Sequence, residues 1–93
     1  TSDFQNLMRQ IPESASSVII RMERMQYIDQ SGLYVLEDAF IELSSQGKIV
    51  LLVDLPKQPR YLLERIDIIP DLIGKDRVFD NFNDCTAWLK DNV

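Results

Sequence analysis

The stretch Lys48-Ile-Val-Leu-Leu-Val-Asp-Leu55 decides the fold class of this chain. It is short, nearly continuous in apolar residues and rich in β-branched side chains, which is typical of a strand buried on both faces of a parallel sheet. Gly47 stands directly before it, where a glycine ends a helix well, and Pro56 stands directly after it. Because parallel strands are joined by crossover connections that are usually helical, this strand predicts helices on both sides of it in the chain.

The segments on either side alternate between helical and strand periodicity. In chain order, the predicted elements are a helix over 4–11, a strand over 17–23, a helix over 31–46, the strand over 48–55, a helix over 59–68 stopped by Pro70, a very short edge strand at Val78-Phe79 and a helix from Asp80 or Asn81 to about 91. This alternation predicts an α/β fold with a small, mostly parallel sheet and helices packed against it.

Three strands make a narrow sheet, and the chain starts on a helix. We therefore expect one or more N-terminal strands to be lacking and an apolar sheet edge to be exposed.

The faces of the helices that should pack on the sheet follow from the same periodicity. In the helix over 31–46, the apolar face is formed by Leu33, Leu36, Phe40 and Leu43. In the helix over 59–68 it is formed by Leu62, Ile66 and Ile69, and in the last helix by Phe82, Cys85 and Leu89 with Trp88 alongside.

Composition limits the function classes. The chain has 93 residues and is 45% hydrophobic, which predicts a single domain over residues 1–93. Its net charge of −5 disfavours nucleic acid as a partner. It has no histidine and a single cysteine, Cys85, so a zinc site, a Ser-His-Asp triad and a Cys-His pair have no residues to form them. We therefore expect no enzyme, no catalytic residues, no metal and no cofactor.

The segment from Met25 to Glu37 has an acidic residue, a hydroxyl and a glycine directly before an amphipathic helix, in the order Asp29-Gln30-Ser31-Gly32-Leu33. It resembles the signature of STAS domains, the family shared by sulfate transporters and anti-sigma factor antagonists. The resemblance extends along the chain over about residues 1–91, through the strand before the loop, the strand over 48–55 and the last helix with Trp88.

This resemblance implies a regulatory and protein-interaction domain, most like the cytoplasmic C-terminal domain of a sulfate permease family (SulP-type) anion transporter. Gln30 stands where anti-sigma antagonists usually carry a small residue, which favours the transporter branch. The expected location is then the cytoplasmic side of the inner or plasma membrane. The expected partners are the membrane domain of the same transporter, a cytosolic regulatory protein, or both. Separately from the resemblance, the expected exposed sheet edge predicts pairing with a second copy in a homodimer. Two alternatives stay open: a free-standing anti-sigma antagonist-like protein phosphorylated at Ser31, and a nucleotide-binding STAS module.

The loop residues Asp29, Ser31 and Gly32 are the predicted regulatory or docking site. A simpler interpretation is helix capping, in which a side-chain oxygen accepts a hydrogen bond from a free backbone N–H. A phosphate on Ser31 would meet the positive end of the helix dipole but also the charge of Asp29. We therefore expect phosphorylation to alter docking rather than to stabilise the domain.

A second predicted contact lies in the segment from Pro56 to Arg60, which is expected to be a loop. It follows the strand over 48–55, as the Asp29 loop follows the strand over 17–23, and loops after parallel strands emerge at the same sheet edge. Lys57 and Arg60 are therefore predicted to contact an anion or a nucleotide there. The alternative is that both are solvated surface cations.

Overall fold

The computed structural model describes residues 2–93, with side chains from Phe4 onward. The elements are helix α1 (Ser2–Arg9), strand β1 (Ser17–Arg21), helix α2 (Gln30–Ser45), strand β2 (Ile49–Val53), helix α3 (Lys57–Arg65), the short helix α4 (Ile68–Asp71), a 3₁₀ turn (Lys75–Arg77), strand β3 (Val78–Phe79) and helix α5 (Phe82–Asn92).

The strands form a parallel sheet in the order β1-β2-β3. In the register, Ile19 lies opposite Leu51, and Leu52 lies opposite Val78. The pairing continues one residue beyond β1, where the Met22 amide donates to the carbonyl of Val53 at 2.9 Å. The predicted α/β class, the parallel pairing of the first two strands and the edge position of Val78-Phe79 are confirmed.

The central strand separates two apolar layers. Val50 and Leu52 face a large cluster built from α2, α3 and α4, in which Phe40 and Leu63 are fully buried. The alternate residues of β2 face α5 and pack with the buried Cys85 in a smaller cluster. The predicted burial of β2 on both faces, and the predicted core face of α2, are therefore confirmed.

The predicted helix over 59–68 is wrong at both ends. Helix α3 begins at Lys57, because Pro59 fits in the first turn of a helix, where its missing N–H has no intrahelical partner to lose. The chain leaves the helix at Ile66, which is 37% exposed and not part of the core face. Pro70 does not stop this helix but lies within α4, after a cis peptide bond from Ile69.

The predicted inner face of α5 is wrong at one position. Cys85 is fully buried, whereas Phe82 is 38% exposed. Phe82 is the first residue of α5 and lies at the carboxyl ends of the strands, so it meets the last residue of β1 instead of the apolar sheet. The guanidinium carbon of Arg21 lies 4.2 Å from the centre of its ring, in a cation–π contact.

Lys48 is buried. The sequence pattern indicated only that this lysine begins a strand. Its ammonium donates to the carbonyls of Glu13 at 3.0 Å, Pro12 at 3.3 Å and Ala15. All three acceptors lie in the connection between α1 and β1, so Lys48 fixes this connection against β2. Three carbonyl partners also compensate the loss of water around a buried charge.

The outer edge of β1 borders an apolar groove of about 580 Å³ between this strand and α1. Its lining includes Leu7, Val18 and Ile20, and Leu7 is 61% exposed. Among the described residues no further strand pairs with this edge. The exposed apolar edge expected from the sequence is therefore present.

A candidate docking surface at the carboxyl edge of the sheet

The start of α2 is built by Asp29. This residue has an extended backbone, and its carboxylate accepts a hydrogen bond from the Gly32 amide at 2.8 Å. Asp29 is therefore the N-cap, and the helix begins at Gln30, one residue before the predicted start at Ser31. Ser31 is the second helical residue and is exposed. The capping role considered for this loop thus belongs to Asp29, and Ser31 stays available to a partner.

Gly32 lies in the first turn of the helix and is half-buried. A Cβ atom built on it would lie 3.4 Å from the Asp29 carboxylate oxygen and 3.5 Å from the Cβ of Ile28, which is ordinary contact. A side chain would therefore fit at this position, and neither close packing nor a positive φ requires glycine at position 32.

The loop before α2 is held by a side chain from another element. The Ile28 amide donates to Oε1 of Gln58 at 2.9 Å, and Nε2 of Gln58 donates to the Ile28 carbonyl, also at 2.9 Å. Gln58 thus provides hydrogen-bond partners for both the amide and the carbonyl of Ile28, a residue that is only 7% exposed. The side-chain amide of Gln58 fixes the loop next to the first turn of α3, and it links the two segments that the sequence predicted to lie at the same sheet edge.

Two exposed tyrosines flank the start of α2. Tyr27 is 73% exposed and Tyr34 is 52% exposed. The side-chain amide of Gln30 donates to the hydroxyl of Tyr34 at 2.8 Å, which orients this ring along the first turn of the helix. Tyr27, Asp29 and Gly32 line a cavity of about 290 Å³ beside the loop.

The predicted cations lie in α3 and not in a loop. Lys57 and Arg60 line a second cavity of about 610 Å³, together with three carboxylates that follow the three strands: Glu23, Asp54 and Asp80. Arg60 also forms a salt bridge with Glu64 at 3.4 Å, one helical turn along. This cavity is therefore mixed in charge.

The structure does not place all the predicted site residues in one cavity. Asp29 and Gly32 line the smaller cavity, and Lys57 and Arg60 line the larger one. The hydrogen-bonded pair of Gln58 and Ile28 connects them, because Gln58 lines the larger cavity and Ile28 lines the smaller. Anion or nucleotide binding at Lys57 and Arg60 stays a prediction, and such a ligand would also meet the three carboxylates.

The cysteine takes no part in this surface. Cys85 is fully buried on the face of α5 that packs against β2, and burial raises the pKa of its thiol, so the thiol stays protonated. Among the described residues, no group of three or more histidine, cysteine or acidic side chains is placed to hold a metal ion. Within the same part of the chain, no helix is both long enough and apolar enough to cross a membrane.

Sequence reasoning missed Gln58 and Tyr34 as parts of this surface. The exposed position of Tyr34 was readable, because it lies outside the apolar face of α2. Gln58 had no such signal, since a glutamine after Pro56 and Lys57 is common on solvated helix starts, and its partner Ile28 is 30 residues away in the chain.

This arrangement, a short parallel sheet with an acidic cap, a hydroxyl and a glycine at the first turn of the helix after β1, is that of a STAS domain. The family model of the STAS domain matches residues 3–85, and the chain belongs to this family.

Two solved structures share the fold. A sulfate transporter family protein from Wolinella succinogenes superimposes with a TM-score of 0.78, at 27% identity over 96% of this chain and 72% of that one. The STAS domain of a SulP transporter from Vibrio cholerae gives 0.77 at 23% identity, over 97% of this chain and 70% of that one, which shows likeness of fold alone. No curated protein sequence matches the chain.

Proposed function

We propose that this chain is the cytoplasmic regulatory and protein-interaction domain of a sulfate-type secondary anion transporter, with no catalytic activity of its own. The observation that carries the proposal is the likeness, at 27% identity and over nearly the whole chain, to a protein of the sulfate transporter family. The partners would be the membrane domain of the same transporter, a cytosolic regulatory protein, or both.

The docking segment in this proposal runs from Asp29 to Gly32. Three features support it: the segment is fixed on both sides by hydrogen bonds, Ser31 is exposed, and the flanking Tyr27 and Tyr34 are exposed aromatic side chains. Aromatic residues on a rigid support are frequent anchors of protein interfaces. A rigid segment also loses little conformational entropy when it binds.

A second candidate function is a free-standing signalling protein of the anti-sigma antagonist type, switched by phosphorylation of Ser31. The exposure of Ser31 in the first helical turn supports it, since a kinase needs an accessible hydroxyl. The charge of Asp29, two residues before Ser31, would repel the phosphate, so the effect of phosphorylation would fall on docking.

The test uses the polypeptide encoded by the complete reading frame that contains this chain. Uptake of radiolabelled sulfate is measured in cells that lack their own sulfate transport, for the wild type and for a variant without residues 1–93, at matched amounts in the membrane. We expect sulfate uptake by the wild type and a several-fold change on removal of the domain. A reading frame without membrane-spanning segments would reject the transporter proposal in favour of the signalling protein.

A further inference from the structure

The outward face of α2 combines two exposed apolar side chains with negative charge. Positions separated by three and four residues share one face of a helix. On this face lie Ser31, Tyr34, Asp38, Ile41 and Ser45, all exposed. We call these five residues the outer stripe of α2. Tyr34 and Ile41 are 52% and 48% exposed, and they are seven residues apart, or about 10 Å along the helix.

The apolar members of the outer stripe are not covered by the rest of the domain. The core of α2 uses the opposite face, with Leu36 and Phe40 at 1% and 0% exposure. Tyr34 is also pre-ordered, because the Gln30 amide holds its hydroxyl. Two apolar side chains two turns apart on a rigid helix match the spacing of anchors on a second amphipathic helix.

The charge of α2 identifies the partner. The helix carries Glu37, Asp38 and Glu42 but no lysine or arginine. Among the described side chains, none of these three carboxylates forms a salt bridge. Arg9 of α1 lines the groove beside Asp38 and Glu42, which offsets only part of the charge. Anionic lipid and nucleic acid are repelled by such a surface, whereas a basic segment is attracted.

We infer that the outer stripe of α2 is a docking surface for a basic amphipathic helical segment of a protein. The inference rests on the proposed function and names the chemistry of the partner. It fits the docking of this domain on a membrane domain, since short cytoplasmic loops of membrane proteins carry an excess of lysine and arginine.

The experiment titrates the ¹⁵N-labelled chain with two helical peptides as long as α2, which has 16 residues. Both peptides carry the same leucine stripe, and one has lysines where the other has glutamates. We expect the lysine peptide to bind at least about tenfold more tightly and to shift the amide signals of residues 31–45. Equal binding of both peptides, or shifts confined to the groove between α1 and β1, would overturn the inference.

Matched variants separate the apolar and the charged contributions. Changing Tyr34 and Ile41 together to alanine is expected to weaken binding of the lysine peptide about tenfold. Leu7→Ala, which truncates an exposed apolar residue on α1, is its control and should change nothing. Asp38→Asn is expected to weaken binding about two- to threefold at low salt and to lose this effect at high salt, since exposed charge pairs are screened.

Three further outcomes are informative. Binding of the chain to vesicles of anionic phospholipid in preference to the lysine peptide would overturn the inference in favour of a lipid surface. If the peptide does not bind but removal of the domain still changes sulfate uptake, the outer stripe of α2 fails as the docking surface while the proposed function stands. If the peptide binds as expected and uptake does not depend on the domain, the proposed function fails instead.

Discussion

Two loops meet at the carboxyl edge of the sheet, and they are held in different ways. Residues 22–29, between β1 and α2, form a long loop that is fixed from outside by Gln58 and closed by the cap of Asp29. Residues 54–56, between β2 and α3, form a short loop that is fixed by its own backbone angles and by one backbone hydrogen bond to β3. Asp54 adopts a left-handed conformation with φ 58°, and its amide donates to the Phe79 carbonyl at 3.0 Å.

The difference shows where sequence changes should act. A long loop between elements has too much conformational entropy to be fixed by local preferences, so it depends on contacts from distant residues. A short loop depends mainly on whether each of its residues can adopt the required backbone angles. Replacing a residue that holds the long loop from outside should therefore destabilise the domain more than replacing a residue within the short loop.

The largest effect is expected from Gln58→Leu. This change leaves the amide and the carbonyl of the buried Ile28 without partners, and a loss of about 2–4 kcal/mol in the free energy of unfolding is expected from two unsatisfied backbone groups. Urea denaturation measures the loss, and faster hydrogen exchange at the Ile28 amide locates it.

The matched control for that change is Gln26→Leu. Gln26 is an exposed glutamine of the long loop itself, and its side chain donates to the Glu23 carbonyl. Because that carbonyl is accessible to water, a loss below about 0.5 kcal/mol is expected. Equal losses in the two variants would show that the distant contact does not control the loop.

The cap of α2 should have the next largest effect. Asp29→Ala removes the acceptor for the Gly32 amide, and a loss of about 1 kcal/mol in the free energy of unfolding is expected. Asp29→Asn keeps an oxygen acceptor and should recover most of the stability. Thermal and urea denaturation of both variants check this. If Asn is as destabilising as Ala, the negative charge and not the hydrogen bond stabilises the helix start.

The short loop can be tested by relieving its backbone conformation. Glycine adopts a positive φ without steric cost, so Asp54→Gly is expected to stabilise the fold slightly or leave it unchanged, within about 0.5 kcal/mol. Asp80 follows β3 at the position opposite Asp54 but has no positive φ. Asp80→Gly should therefore destabilise by about 0.5–1 kcal/mol. If denaturation curves show equal losses in the free energy of unfolding for both glycine variants, the positive φ of Asp54 does not determine the effect of glycine in the short loop.

The sequence predicted the strands and the helix that form this sheet edge, because these elements depend on local patterns. The apolar run of β2 and the periodic face of α2 fix strands and helix with signals a few residues long, and the structure places both as expected. Gly47, with φ 76°, ends α2 at the predicted place. These features need no knowledge of distant residues.

What the sequence did not predict depends on packing between distant segments. The pairing of Gln58 with Ile28 joins residues 30 apart, and the exposure of Phe82 depends on where Arg21 ends β1. The start of α3 was misplaced because Pro59 indicates either a loop or the first turn of a helix, and only the burial of Pro59 and Leu63 in the folded chain distinguishes them. Docking at the Asp29–Gly32 loop stays a prediction, and the sequence did not indicate that Gln58 holds this loop.

The smallest effect on stability, and the most informative one on docking, is expected from Ser31→Asp. The new carboxylate gains about 0.3–1 kcal/mol at the positive end of the helix dipole, and repulsion from the nearby Asp29 offsets this, so a net change within about 0.5 kcal/mol is expected in thermal denaturation.

The effect of Ser31→Asp on binding should be larger than its effect on stability. If the outer stripe of α2 receives a basic segment, the added charge at its first residue should tighten binding of the lysine peptide about two- to fivefold at low salt. Ser45→Asp places the same charge at the other end of the stripe and, by the same attraction, should tighten binding to a similar extent. Calorimetry at two salt concentrations measures both. Weaker binding with Asp at position 31 would mean that the partner surface facing the helix start is acidic or apolar, and a large loss of stability without any change in binding would mean that Ser31 contributes only to the helix start. Phosphorylation of Ser31 would act in the same direction as the aspartate and more strongly, because a phosphate carries more charge than a carboxylate.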